Sequence, residues 1–127
     1  MKSVLLVDDE EYIRRLYFEE LSEEGYEVVT VASGHNLLRK INLCQPDLVI
    51  LDIKLMDYDG LELLEEIRCS HHNLPVILCT AYDTYKEDPR SFAADYYVIK
   101  SFDLTELKRA TFRAIQADEA IQLTGTN

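Results

Sequence analysis

The chain has 127 residues and a mass of 14.7 kDa, which is room for one ordinary domain. Apolar residues make up 47 % and charged residues 29 %, too apolar a mix for a disordered chain. Twenty-four acids against thirteen Lys and Arg leave a net charge of −11, so the surface should repel nucleic-acid phosphates and anionic lipid and attract divalent cations and basic protein surfaces. In chain order, SVLLV (Ser3 to Val7) reads as a strand buried on both faces. Ile13, Leu16, Tyr17 and Leu21 then repeat at helical spacing up to Gly25, a helix stop. EVVTV (Glu27 to Val31) is a second strand, and Ser33 is placed to cap a helix with Leu37, Leu38, Ile41 and Cys44 inward, ended by Pro46.

DLVILD (Asp47 to Asp52) is the third and most apolar strand. A third helix follows Asp59-Gly60, with Leu61, Leu64 and Ile67 inward. PVILCT (Pro75 to Thr80) and YYVI (Tyr96 to Ile99) are strands four and five. Between them Pro89 allows only a short helix starting near Asp88, with Tyr82 to Glu87 as loop. Asp103 and Glu106 stand at capping-box spacing before a last helix through Leu107, Ala110, Ala114 and Ile115 toward Ile121. Five βα units at this spacing predict an α/β fold: a doubly wound five-stranded parallel sheet flanked by five helices.

Three cysteines without CxxC spacing (Cys44, Cys69 and Cys79) argue against a disulfide framework and a zinc site, and read as buried or half-buried thiols. His71 and His72, adjacent before Asn73 and Pro75, read as loop residues rather than metal ligands, as does His35. Met1-Lys2 lead straight into the first strand, and no apolar run approaches the ~20 residues of a membrane span, so a cytoplasmic chain without membrane contact is expected.

In a parallel sheet all strands end at one edge, beyond which ligands bind. Here strand one ends at Asp8-Asp9, strand three at Asp52, strand four at Thr80 and strand five at Lys100. Two carboxylates ~4 Å apart repel by about 4 kcal/mol at an effective dielectric near 20, so such a cluster must hold protons or a cation. Oxygen-only ligands favour a hard ion, Mg2+ or Mn2+, and a site of this kind can receive a phosphoryl group. Lys100 and Thr80 then neutralise and hydrogen-bond its oxygens, which leaves one carboxylate as nucleophile.

VLLVDDEEYIRR, PDLVILDIKLMDYDG, VILCTAY and YYVIKSF, in that order, resemble the receiver domain of two-component response regulators, from Ser3 to about Ala117. The resemblance implies a flavodoxin-like fold with strand order 2-1-3-4-5, and a receiver over residues 1–120 with 121–127 as a tail or the start of a linker. It implies that Asp52 accepts the phosphoryl group, that Asp9 binds Mg2+ directly and Asp8 largely through water, and that the backbone carbonyl of Lys54 completes the ligands. Thr80 would be the switch hydroxyl, Lys100 the ion pair to the phosphoryl group and Tyr97 the switch aromatic. Ile13 and Arg14 would lie on the surface where phosphodonor helices dock. Lys54 and Tyr82, two residues after the acceptor and the switch Thr, would flank the path of hydrolytic water, and their bulk implies a long-lived aspartyl phosphate.

The implied partners are a histidine kinase or histidine phosphotransfer domain and a downstream effector or partner protein. The domain is expected as a monomer or weak phosphorylation-dependent dimer, without direct nucleic-acid binding. Ser101 stands where the family usually has Pro after the Lys, so the Lys100–Ser101 bond is either trans in a rearranged loop or an unusual cis bond. Asp57 also replaces a Pro, adding an acid near the site. A phosphatase with an aspartyl nucleophile needs an Asp general acid where this chain has Lys54, which disfavours that reading. A receiver that binds partners without phosphorylation is the remaining alternative. The charge is also uneven: residues 1–27 carry nine acids and three bases, a net of −6.

Overall fold

A computed structural model describes residues 1–124, with side chains to Ala120. The strands are β1 (Ser3–Val7), β2 (Glu27–Val31), β3 (Leu48–Leu51), β4 (Val76–Thr80) and β5 (Tyr96–Ile99). The α-helices are α1 (Glu11–Glu23), α2 (Leu37–Cys44), α3 (Gly60–Ser70) and α4 (Thr105–Thr124). The strands form one parallel sheet in the order β2-β1-β3-β4-β5. Ile121 and the expected tail at 121–127 lie outside the described side chains.

Strand alternation divides the core in two. Val4, Leu6, Leu48, Ile50, Ile77 and Cys79 point to one face, where Tyr17 and Leu21 of α1 and Leu107, Ala110 and Ala114 of α4 cover them. Leu5, Val7, Val49, Leu51, Val76 and Leu78 point to the other, under Leu37 and Ile41 of α2 and Leu61, Leu64 and Ile67 of α3. Because β1, β3 and β4 are covered on both faces, they carry unbroken apolar runs rather than an alternating pattern. Each fully buried Leu or Ile contributes about 1.5–3 kcal/mol, enough to set the register.

Helix ends show where local signals hold. Gly25 follows α1 at φ +95, and its N–H donates to the Ser22 carbonyl, as a helix-stopping glycine should. The Asp59 carboxylate accepts from the Leu61 N–H and caps α3. Ser33 does not cap α2: its hydroxyl accepts from the His35 N–H, and the helix starts later, after Asn36 in the left-handed region at φ 54. The Asp103 carboxylate accepts from the Thr105 N–H and hydroxyl at the start of α4, but its own N–H donates to Ser101 Oγ rather than to Glu106, so only half of the expected capping box forms. Cys44 and Cys69 are exposed and only Cys79 is buried, which corrects the expectation for the first two.

The fifth helix is not formed. Between β4 and β5 the chain makes two 3₁₀ turns, Thr84–Glu87 and Pro89–Ala93. Pro89 pushes the residue before it out of helical geometry, and Asp88 is extended at φ −75, ψ 121. That break splits a segment too short for two α-helices. The Asp88 carboxylate caps the second turn by accepting from the Arg90 N–H. The Lys100–Ser101 bond is trans, as are all peptide bonds among the described residues.

Candidate phosphoryl-acceptor site

The carboxyl edge of the sheet brings the sequence's scattered polar residues together. Asp8 follows β1 and Asp52 follows β3; both lie at the sheet centre and are buried. The Asp8 N–H donates to the Val31 carbonyl and the Asp52 N–H to the Val7 carbonyl, so each backbone is an extension of the sheet ladder. Asp8, Asp9, Glu10 and Asp52 each offer a carboxylate oxygen, and these four atoms lie within 4.8 Å of one another. Glu10 was not anticipated; its signal was the unbroken acid run DDEE at Asp8 to Glu11. Asp57, expected as a further acid here, is exposed and stands outside this group.

Among the described residues, the ion pairs of the cluster are made by Lys100. Lys100 Nζ lies 2.7 Å from Asp8 Oδ2 and 2.8 Å from Asp52 Oδ2, with Glu10 Oε1 at 3.4 Å. The three inner side chains are almost water-free, at 9 % exposure for Lys100, 3 % for Asp8 and 5 % for Asp52. Burial raises the Asp8 and Asp52 carboxyls above their ordinary range, and the Lys100 hydrogen bond only partly offsets it. Burial alone would lower Lys100, but its bonds to Asp52 and Asp8 outweigh this and raise it. Four carboxylates against one ammonium remain short of positive charge. The donor set is all oxygen, so it fits Mg2+ or another hard divalent ion.

Thr80 ends β4 between β3 and β5, fully buried, and its hydroxyl has no hydrogen-bond partner among the described residues. Tyr97 is half-buried on β5; its hydroxyl donates to the Tyr82 carbonyl and Lys86 Nζ lies 5.5 Å from its ring centre. Lys54 and Tyr82 touch each other, with the ammonium 5.4 Å from the ring centre. Ile13 and Arg14 are half-buried at the start of α1, and Arg14 donates to the Asp8 backbone carbonyl at 2.8 Å. Arg14 thereby ties the start of α1 to the backbone at the end of β1. Beside the acids opens a groove of about 380 Å³, lined by the apolar Tyr12, Ile13, Leu16, Ala81 and Phe102 and by the polar Glu10, Lys100 and Ser101.

Two central-strand aspartates, a neighbouring Thr and a Lys stand on one sheet edge, and the profile of a response regulator receiver domain fits residues 4–112. The chain belongs to that family. It is 39 % identical over 116 residues to regulatory protein AtoC of Escherichia coli K12, covering 89 % of this chain and 25 % of AtoC. It is 47 % identical to the response regulator TrrA of Thermotoga maritima, whose crystal structure in complex with Mg2+ and BeF superposes with a TM-score of 0.87 over 90 % of this chain and 99 % of TrrA. TrrA in complex with the histidine kinase ThkA superposes with a TM-score of 0.84, over 90 % of this chain and 98 % of TrrA, at the same 47 % identity. The receiver spans a quarter of AtoC and 45–54 % of three further curated transcriptional regulators. No helix among its described residues is long and apolar enough to cross a membrane.

Proposed function

We propose that this receiver takes a phosphoryl group onto Asp52 from a histidine kinase or histidine phosphotransfer domain, in an Mg2+-dependent reaction, and passes the change to an effector or partner protein. The observation that carries the reading is the Asp52 carboxylate at the end of β3, bonded to Lys100 at 2.8 Å inside a four-carboxylate cluster. Asp8, Asp9, Asp52 and the Lys54 carbonyl would hold the ion; Mn2+ fits the same oxygens. Bound Mg2+ supplies the positive charge that lets acids and phosphoryl oxygens share one site.

Asp52 is the nucleophile, a carboxylate oxygen attacking phosphorus in line with the leaving imidazole nitrogen. Lys100 is bonded to Asp52 before transfer and follows the negative charge onto the phosphoryl oxygen. The unpartnered Thr80 hydroxyl gains its acceptor from the same group. Its movement frees the space into which Tyr97 turns, breaking the Tyr97–Tyr82 contact. The Lys54–Tyr82 contact supports slow hydrolysis, because the combined bulk of the two side chains would hinder in-line water. The groove beside Ile13 supports docking of an apolar helix surface, with Arg14 acting through the Asp8 carbonyl. The protein turns over no separate substrate in this reading, and its charge of −11 disfavours direct nucleic-acid contact. Dimerisation, if it follows phosphorylation, is weak.

Incubation with Mg2+ and a small acyl phosphate should add one phosphoryl mass to the wild type and none to Asp52→Asn. Steady phosphate release would indicate a phosphatase instead. No mass gain and no tyrosine response to beryllofluoride would indicate a phosphorylation-independent binding module.

A further inference from the structure

In the receiver reading the loop that follows Asp52 supplies a backbone ligand to the metal, and its shape therefore matters. Lys54 pairs with Asp59 in an isolated antiparallel bridge, and the Gly60 N–H donates to the Ile53 carbonyl at 2.7 Å. The loop closes tightly at that point: a Cβ on Gly60 would lie 2.2 Å from the Asp52 carbonyl oxygen. Further out it borders a cavity of about 340 Å³ lined by Lys54, Leu55, Asp57, Tyr58, Tyr85 and Arg90; Leu55 and Tyr58 pack into the core, while Lys54 and Asp57 are exposed. Met56 at its tip is 84 % exposed.

A polar bridge crosses this cavity. Asp59 Oδ1 caps α3 through the Leu61 N–H, while Arg90 Nη1 reaches Asp59 Oδ2 at 3.4 Å. Arg90 is itself aimed by Asp88, whose two carboxylate oxygens accept from Nε at 3.2 Å and Nη2 at 2.9 Å. Asp88 caps the second 3₁₀ turn. The path is contiguous: Lys54 backbone, Asp59, Arg90, Asp88, and then the turn that replaces a fifth helix.

We propose that Arg90 is a positioning residue for the metal site, holding the Lys54–Asp59 loop in its ligating shape and tying it to the Pro89–Ala93 turn. The inference rests on the receiver reading, in which the Lys54 carbonyl is a ligand. Metal binding and the 3₁₀ segment are then coupled by a route independent of Thr80 and Tyr97. The coupling is reciprocal: whatever the bridge adds to metal affinity, metal returns as order in residues 88–93.

Electrostatics alone makes the opposite prediction. Removing a cation near a carboxylate cluster should strengthen Mg2+ binding, whereas removing a brace should weaken it. Amide NMR titration with Mg2+ on the intact chain separates the two. In wild type, amides at 53–60 and 88–93 should shift together with one saturating dissociation constant. Arg90→Gln should weaken that constant by about fivefold, at the low end of couplings between sites, and uncouple the 88–93 shifts. Asp59→Asn keeps a side chain that can cap α3 while losing the ion pair, so it should fold as wild type and show the same uncoupling. The Arg90→Gln/Asp59→Asn double variant should then be no more uncoupled than either single one.

An unchanged or tighter Mg2+ constant in Arg90→Gln, or 88–93 shifts that persist in both single variants, overturns the proposal. Absence of saturable shifts at Asp8, Asp9 and Asp52 in wild type would instead overturn the receiver metal site itself.

Discussion

Two places in this molecule share one formula, a single base between two aspartates, and differ in burial. Lys100 sits between Asp8 and Asp52 with side chains 9 %, 3 % and 5 % exposed; Arg90 sits between Asp59 and Asp88 at 38 %, 40 % and 26 %. In the first, each charge has left water and depends on its partners. In the second, water screens all three, and geometry matters more than energy. Burial thus divides the roles: a reactive cluster short of positive charge at the sheet edge, and a low-energy brace over the loop beside it.

The contrast is broken most forcefully at Lys100. Lys100→Met should cost about 3–5 kcal/mol of stability at neutral pH by leaving two buried carboxylates unpaired. Mg2+ should restore much of that loss, as seen in thermal denaturation with and without the ion. Asp52→Asn acts in the other direction. The ionised form of Asp52 is disfavoured by burial, so a neutral isostere should raise stability without Mg2+ by about 1 kcal/mol while abolishing phosphorylation. A lower melting temperature for this variant would show that the Lys100 bond outweighs desolvation.

The raised carboxyls also fix a pH dependence. Asp8 and Asp52 take up protons in the folded state above the ordinary value of 3.8, so the folded chain binds more protons than the unfolded one just above that value. Apo stability contributed by these two groups should therefore fall as pH rises through their raised range. Mg2+ competes with those protons, so its affinity should weaken as pH falls through the same range, measured by titration at several pH values. The smallest effect is expected at the exposed triad. Arg90→Gln should leave the unfolding transition close to that of the wild type, because screened pairs are worth little. A loss as large as that of Lys100→Met would erase the distinction between the two triads.

Much of the site was legible because strands end where apolar runs end. Asp8, Asp9, Asp52, Thr80 and Lys100 each close such a run, and parallel topology puts those ends on one edge. Glu10 was missed because the start of a helix explains an acid equally well. Ser33 failed as the α2 cap because the chain passes through the left-handed Asn36 before the helix starts, which spacing does not reveal. Pro89 announced a broken helix, yet the two 3₁₀ turns depend on Asp88 being extended, and the Arg90–Asp59 pair joins residues 31 apart.

The sequence by itself determined the βα alternation, the family and the residues at the acid edge, because apolar periodicity and chain-local ordering are one-dimensional properties. Tertiary structure alone decided which carboxylates share Lys100, how deeply each is buried and which base braces the loop. Those depend on distances between distant segments and on the water excluded between them, and the same Asp–base–Asp arrangement becomes a reactive cluster or a surface strut according to that exclusion.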